Sequence, residues 1–140
     1  GKKIEWITLE KDNWGIGEHS VWVKLRIKNA PQITTNLVVG SNNNTLNFAS
    51  FYVVDSSAQL VKSIHTGNML PFNNRELKIR YPCIVLPPVP QETYQEVYMR
   101  FESEDVLALN LFLKPLIDVT HEHYTLQMIE GVFFGCLLIM

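Results

Sequence analysis

Trp22, Lys24 and Arg26 recur at every second residue in "SVWVKLRIKN", and Tyr94, Tyr98 and Arg100 fall on the same parity in "ETYQEVYMRFES". An indole or phenol ring offers a flat apolar face for the C–H face of a sugar, and a guanidinium donates hydrogen bonds in a fixed fork. A spacing of two puts such groups on one side of a β-strand. If the two strands share a sheet, Trp22, Arg26, Tyr98 and Arg100 line one surface. The alternative is a solvated strand face whose tryptophan covers a sheet edge or a partner domain. Arg75 and Arg80 form a second candidate set in "LPFNNRELKIR". Each either binds an anionic or hydroxylated ligand or pins its loop to backbone carbonyls.

Other chemistries find less support. His121, Glu122 and His123 are metal-ligand types, but residues two apart do not share a helix face, and the zinc-protease signature requires HExxH. A polar linker explains "HEHY" more simply, and no metal or cofactor is expected. No GxSxG, phosphate-binding loop or glycine-rich dinucleotide turn is present. The acids Glu92, Glu96, Glu102, Glu104 and Asp105 fall at strand or turn positions expected to face solvent. Glycosidases assemble their carboxylate pair by fold rather than by motif, so reporter-glycoside turnover is the check on a non-enzymatic reading. A net charge of −2 provides no basic field for a nucleic-acid backbone. Cys83 and Cys136 do not make a disulfide framework.

The elements that must position these residues are mostly strands. A chain of 140 residues with 46% hydrophobic content favours one folded domain. In "SVWVKLRIKN", Val21, Val23, Leu25 and Ile27 oppose the polar set; in "ETYQEVYMRFES", Val97, Met99 and Phe101 do so. "LNFASFYVVD" and "AQLVKSIH", joined by "DSSA", predict a hairpin over residues 46–65. "GNMLPFNNREL" reads as a loop, and Pro82 in "KIRYPCIVLPP" predicts an edge strand or a bulge. After the turn "SEDV", Leu107, Leu109, Leu111 and Leu113 alternate as one further strand. "NNT" at residues 43–45 formally matches a glycosylation sequon. "GKKIEW" leads directly into strand-like sequence, with no signal peptide expected before it. About eight short strands without intervening helices predict an all-β, jelly-roll sandwich.

After Pro115 the alternation ends and a helix is expected, with Asp118 or Thr120 as its N-cap. From Leu126 onward the residues are apolar almost all round. About a dozen such residues are too few to cross a bilayer, which takes roughly 20, and too uniform for a surface helix. A buried strand, a docking helix and the start of a membrane helix continuing past Met140 are the open readings.

The succession "VWVKLRIKN", "GNMLPFNNRELKIRYPCIVLPP", "EVYMRFESEDVLALNLFLKP" and "GVFFGCLLIM" resembles one bacterial receptor family. It is similar to the type 2 extracellular domain of seven-transmembrane receptors with diverse intracellular signalling modules, from about Gly15 to Met140. Leu70, Pro71, Phe72 and Arg75 of "LPFxxR", together with "VYMRFES", are its most specific parts. Asn68 stands where an acidic residue is expected, and "YPCI" replaces a more aromatic strand. The resemblance implies a sandwich similar to carbohydrate-binding modules, on the periplasmic side of the cytoplasmic membrane. It also implies a seven-helix region and a cytoplasmic output module, such as a histidine kinase or diguanylate cyclase, outside this chain.

On that reading residues 1–115 form a non-catalytic sensor domain for a small molecule, possible classes including carbohydrates. Residues 116–127 connect it to the first membrane helix, which begins over 128–140 and supplies the contact with the membrane. A homodimer is compatible with it. The competing readings are a free carbohydrate-binding module and a dimerisation scaffold without a ligand. Away from a bilayer, the terminal run is expected to hide against a second copy or fold back over an apolar groove.

Overall fold

Alternating sequence becomes antiparallel sheet wherever one side of a strand has a core to face. The computed structural model describes residues 13–16, 19–28 and 36–139, so "GKKIEW" lies outside the described residues. In chain order the strands are β1 (Asn13–Ile16), β2 (His19–Lys28), β3 (Leu37–Ser41), β4 (Phe48–Asp55) and β5 (Leu60–Thr66). A single 3-10 turn (Phe72–Asn74) precedes β6 (Cys83–Val85), β7 (Tyr94–Ser103), β8 (Val106–Ala108) and β9 (Leu111–Pro115). The chain ends in α1 (Leu116–Ile139). The strands form a four-stranded sheet ordered β2-β7-β4-β5, a three-stranded sheet ordered β6-β3-β9, and a pair β1-β8. The fold is thus mostly β, with several antiparallel sheets and one C-terminal helix.

The four-stranded sheet turns one face inward. Val97, Met99 and Phe101 of β7, Phe51 and Val53 of β4, and Ile27 of β2 are buried. They meet Val39 and Ile84 from the three-stranded sheet, with Leu46, Leu86, Leu107 and Leu109, in a single core. Phe51 and Phe101 pack edge to face at its centre, 5.8 Å between centroids, a geometry that suits the ring quadrupoles. The three-stranded sheet is covered on its other side as well. There Val38 and Cys83 pack with Ile79 of the preceding loop and Val119 of α1.

Local chemistry explains the connections. The expected hairpin is β4–β5; Asp55 Oδ1 accepts the backbone N–H groups of Ser57 and Gln59, an Asx-type turn. Pro82 ends immediately before β6, which is an edge strand as expected. Its carbonyl crowds Gly40 of β3, where an added Cβ would lie 2.5 Å from that oxygen. Glu76 accepts the Val85 N–H and pairs with Lys62, which satisfies this edge without another strand. The sequon residue Asn43 is engaged by the fold, its amide donating to Ala108 O.

Three expectations need correction. "LALNLFLK" is not one strand: β8 pairs with β1, β9 pairs with β3, and the chain changes sheet between them. Asn110 sits at the break, where its carbonyl accepts Asn42 N–H. Leu107 and Leu109 are buried, whereas Leu113 on edge strand β9 is 44% exposed.

Neither Asp118 nor Thr120 caps the helix. α1 starts directly after β9, with Leu116 N–H donating to Asn36 O. Asp118 lies inside the first turn, where a carboxylate favours the helix dipole. The Thr120 hydroxyl donates back to Leu116 O and Ile117 O. Residues 116–127 and the apolar run lie on one continuous helix.

The terminal run does not fold back over a groove. Val119 anchors the first turns, and the helix then leaves the sheets. Met128, Ile129, Val132, Phe133, Phe134, Leu137 and Leu138 are all exposed. A Cβ placed at Gly131 or Gly135 would meet nothing within 4 Å. No helix among the described residues is long and apolar enough to cross a membrane.

Candidate functional site

Residues paired across an antiparallel ladder point to the same face, so register decides which side chains meet. β2 and β7 pair Trp22 with Arg100, Lys24 with Tyr98 and Arg26 with Glu96. β4 lies on the other side of β7 and pairs Ser50 with Arg100, Tyr52 with Tyr98 and Val54 with Glu96. β5 adds His65 opposite Ser50. Trp22, Arg26, Tyr98 and Arg100 thus share the outer face of the four-stranded sheet, opposite its buried side.

One end of that face is aromatic. Trp22 stacks with Tyr52 at 6.0 Å with an interplanar angle of 20°. Tyr52 meets His65 edge-on at 5.5 Å, and His65 Nδ1 shares a hydrogen bond with Ser50 Oγ. The Arg100 guanidinium lies 6.0 Å from the Trp22 ring and pairs with Glu102. Trp22 remains 48% exposed, which leaves ring surface open to solvent.

The other end is a charge hub. Glu96 accepts from Arg26 Nη2 at 2.6 Å and Nε at 2.9 Å, and from the Tyr98 hydroxyl at 2.8 Å, with Lys24 at 3.1 Å. The Arg26 hydrogen bond, aided by Tyr98 and Lys24, holds the Glu96 carboxyl down at about 2. Tyr98 and Glu96 in turn raise Lys24, and Glu96 raises Arg26. Arg26 also lies 4.6 Å above the Tyr94 ring. The face therefore offers a stacking surface next to fixed donors and acceptors.

Sequence reasoning missed part of this surface. Ser50 and Tyr52 alternate with Ala49, Phe51 and Val53, so their outward direction was readable in "FASFYVVD". Their neighbours were not. Glu96, expected as an ordinary solvent-facing acid, keeps only 12% of its side chain exposed and organises three donors. Glu102 has a structural partner as well, in Arg100.

Arg75 and Arg80 lie elsewhere, beside a cavity of about 450 Å³ between the loop over residues 67–81 and α1. Arg75 donates through Nη1 to the carbonyls of Ile79 and Arg80 and through Nη2 to Asn68 Oδ1, so it does pin its loop. Asn68 also donates to Asn44 O, a bond that an acidic residue would not make. Gly67 opens the loop at φ +134°, with Asn47 O 2.2 Å from where a Cβ would be. Arg80 reaches across to Glu130 of α1 at 2.7 Å.

In "HEHY", Glu122 is bound by Lys114, and His123 lines the cavity. Among the described residues no group of three or more His, Cys, Asp or Glu comes together as metal ligands do. Cys83 and Cys136 are both free. Burial pushes the Cys83 thiol up to about 12, which suits a packing role rather than a nucleophile.

Residues 2–114 match the family model described as 7TMR-DISM extracellular 2. Comparison with curated proteins yields no match. The matched region runs through all the strands as far as Lys114 and stops short of α1. The chain therefore belongs to the 7TMR-DISM extracellular 2 family, the extracellular sensory domains of seven-transmembrane receptors.

Proposed function

We propose that this domain binds a small molecule, a carbohydrate or a derivative of one, on the outer face of the β2-β7-β4-β5 sheet. The observation that carries the reading is the exposed Trp22 ring, stacked on the partly buried Tyr52 and set beside Arg100 and the Glu96 hub. A sugar ring would stack on Trp22, while Arg100, Arg26 and Tyr98 would address its hydroxyls. The role on this reading is sensing, in keeping with the extracellular sensory family to which the chain belongs.

The sandwich, of jelly-roll type on this reading, would sit on the periplasmic side of a bacterial membrane. α1 would continue as the receptor's first membrane helix. Past the Glu130–Arg80 pair its apolar side chains Val132, Phe133, Phe134, Leu137 and Leu138 are exposed, and residues 132–139 cover about 12 Å of a hydrocarbon core of about 30 Å. Further apolar residues beyond Met140 would complete the span. Ligand binding would favour one of two arrangements of sandwich and helix, and so act on an output module such as a histidine kinase or diguanylate cyclase. The shift can be no larger than the ligand's differential affinity for the two.

A titration of the chain with mono- and oligosaccharides, followed by thermal unfolding and calorimetry, tests the reading. A binding sugar should raise the midpoint, and Trp22→Ala or Arg100→Gln should each weaken it about tenfold or more. If no sugar or polyol binds, and the chain self-associates through its helix, the dimerisation scaffold replaces this proposal.

A further inference from the structure

The wall of the cavity between the 67–81 loop and α1 carries an excess of positive charge. It holds Arg75, Lys78 and Arg80 against one carboxylate, Glu130. Among the described residues Arg75 bonds only neutral oxygens, those of Ile79, Arg80 and Asn68. Lys78 likewise donates to the carbonyls of Asn73 and Arg75. Arg75 Nε is buried with no acceptor. Two cations therefore line a volume of about 450 Å³ without a counter-charge, a size typical of small-molecule sites.

The one carboxylate present comes from the helix. Glu130 and Arg80 are both about half exposed, and an ion pair of that kind is readily exchanged for another. Phe72, half exposed and 4.9 Å from the Arg75 guanidinium, gives the same wall an apolar surface.

We propose that this cavity binds a small organic oxyanion, a carboxylate or phosphate ester, whose charged group takes the place of Glu130 on Arg80. The ligand's body rests on Phe72, and Lys78 adds a second charge contact. Because Glu130 belongs to α1, exchange of carboxylates releases the helix from the loop. By linkage, the arrangement with Glu130 released binds the oxyanion more tightly. The site is separate from the sheet face and does not depend on the reading given for it.

The test uses the chain in dodecyl maltoside micelles, titrated calorimetrically with malate, citrate, inorganic phosphate and glycerol phosphate up to about 10 mM. Succinamide and glycerol serve as neutral controls. A nitroxide on the exposed Cys136 reports on the helix, since the other thiol, Cys83, is buried. At least one oxyanion should bind, with the carboxylate and phosphate arms showing which headgroup is preferred, and neutral controls silent. Arg80→Gln and Lys78→Gln should each weaken binding about tenfold or more, Glu130→Gln should strengthen it, and Trp22→Ala should leave it unchanged. Ligand should also change the Cys136 spectrum of the unaltered chain towards that of ligand-free Glu130→Gln.

The proposal is overturned if no oxyanion binds either the unaltered chain or Glu130→Gln. It is overturned equally if Arg80→Gln and Lys78→Gln bind as well as the unaltered chain. Binding with no change at Cys136 would remove the exchange with Glu130.

Discussion

The outer face of the four-stranded sheet and the loop–helix cavity both gather arginines, but they hold them differently. On the sheet, Arg26 and Arg100 each have a carboxylate partner on the same face, Glu96 and Glu102. In the cavity, Arg75 is held by backbone and amide oxygens, and Arg80 by a carboxylate from a separate element. Ladder register fixes the first set to one plane, where each arginine has its carboxylate on the same face. The second set spans a loop and a helix, so its balance changes if the helix moves. A surface of the first kind suits recognition; one of the second kind suits coupling.

The largest expected effect tests how far the sheet face depends on the core beneath it. Phe101→Ala removes a fully buried ring from β7 and its contact with Phe51. A loss of about 3–5 kcal/mol in chemical unfolding is expected, with the β2–β7 face loosened in amide exchange while α1 keeps its helix. A loss below about 1 kcal/mol would show that the face is not held up from below.

Gly67→Ala addresses the cavity instead. The left-handed φ and the contact with Asn47 O leave no room for a Cβ. A cost of about 2–4 kcal/mol is expected, with the loop displaced and sugar binding at the sheet retained. Equal damage to both sites would merge the two regions into one.

The smallest effect concerns charge on the sheet. The Glu96 carboxyl, ordinarily near 4.5, is held at about 2 in the folded chain. Its ionised form therefore stabilises the fold fully above about 4.5, and that contribution is lost as pH falls through about 2. Glu96→Gln should cost about 1 kcal/mol at neutral pH and flatten the unfolding free energy across that window. An unchanged acid limb would mean that the hub contributes nothing to the sheet.

Much of this was legible in "SVWVKLRIKN" and "ETYQEVYMRFES", where period-two alternation separates inward from outward residues without reference to any partner. Pro82 pointed to an edge strand or a bulge because it has no N–H to donate to a ladder, and β6, which follows it, is an edge strand. The split of "LALNLFLK" was not legible, since Asn110 fits an alternating strand as well as it fits a change of sheet. Nor was the helix start: the Leu116 N–H is satisfied by Asn36, eighty residues earlier, rather than by a local cap.

By itself, then, the sequence determined the strands β2, β4, β5 and β7 with their two faces, the loop around "LPFNNR" and the apolar character of the terminal helix. These follow from side-chain period, turn chemistry and hydropathy, which act within a few residues. Only the tertiary structure decided that β7 lies between β2 and β4, bringing Tyr52 to Trp22, and that Arg80 meets Glu130. Those meetings depend on strand order and on the path of α1, which are set by how all the buried faces pack together at once.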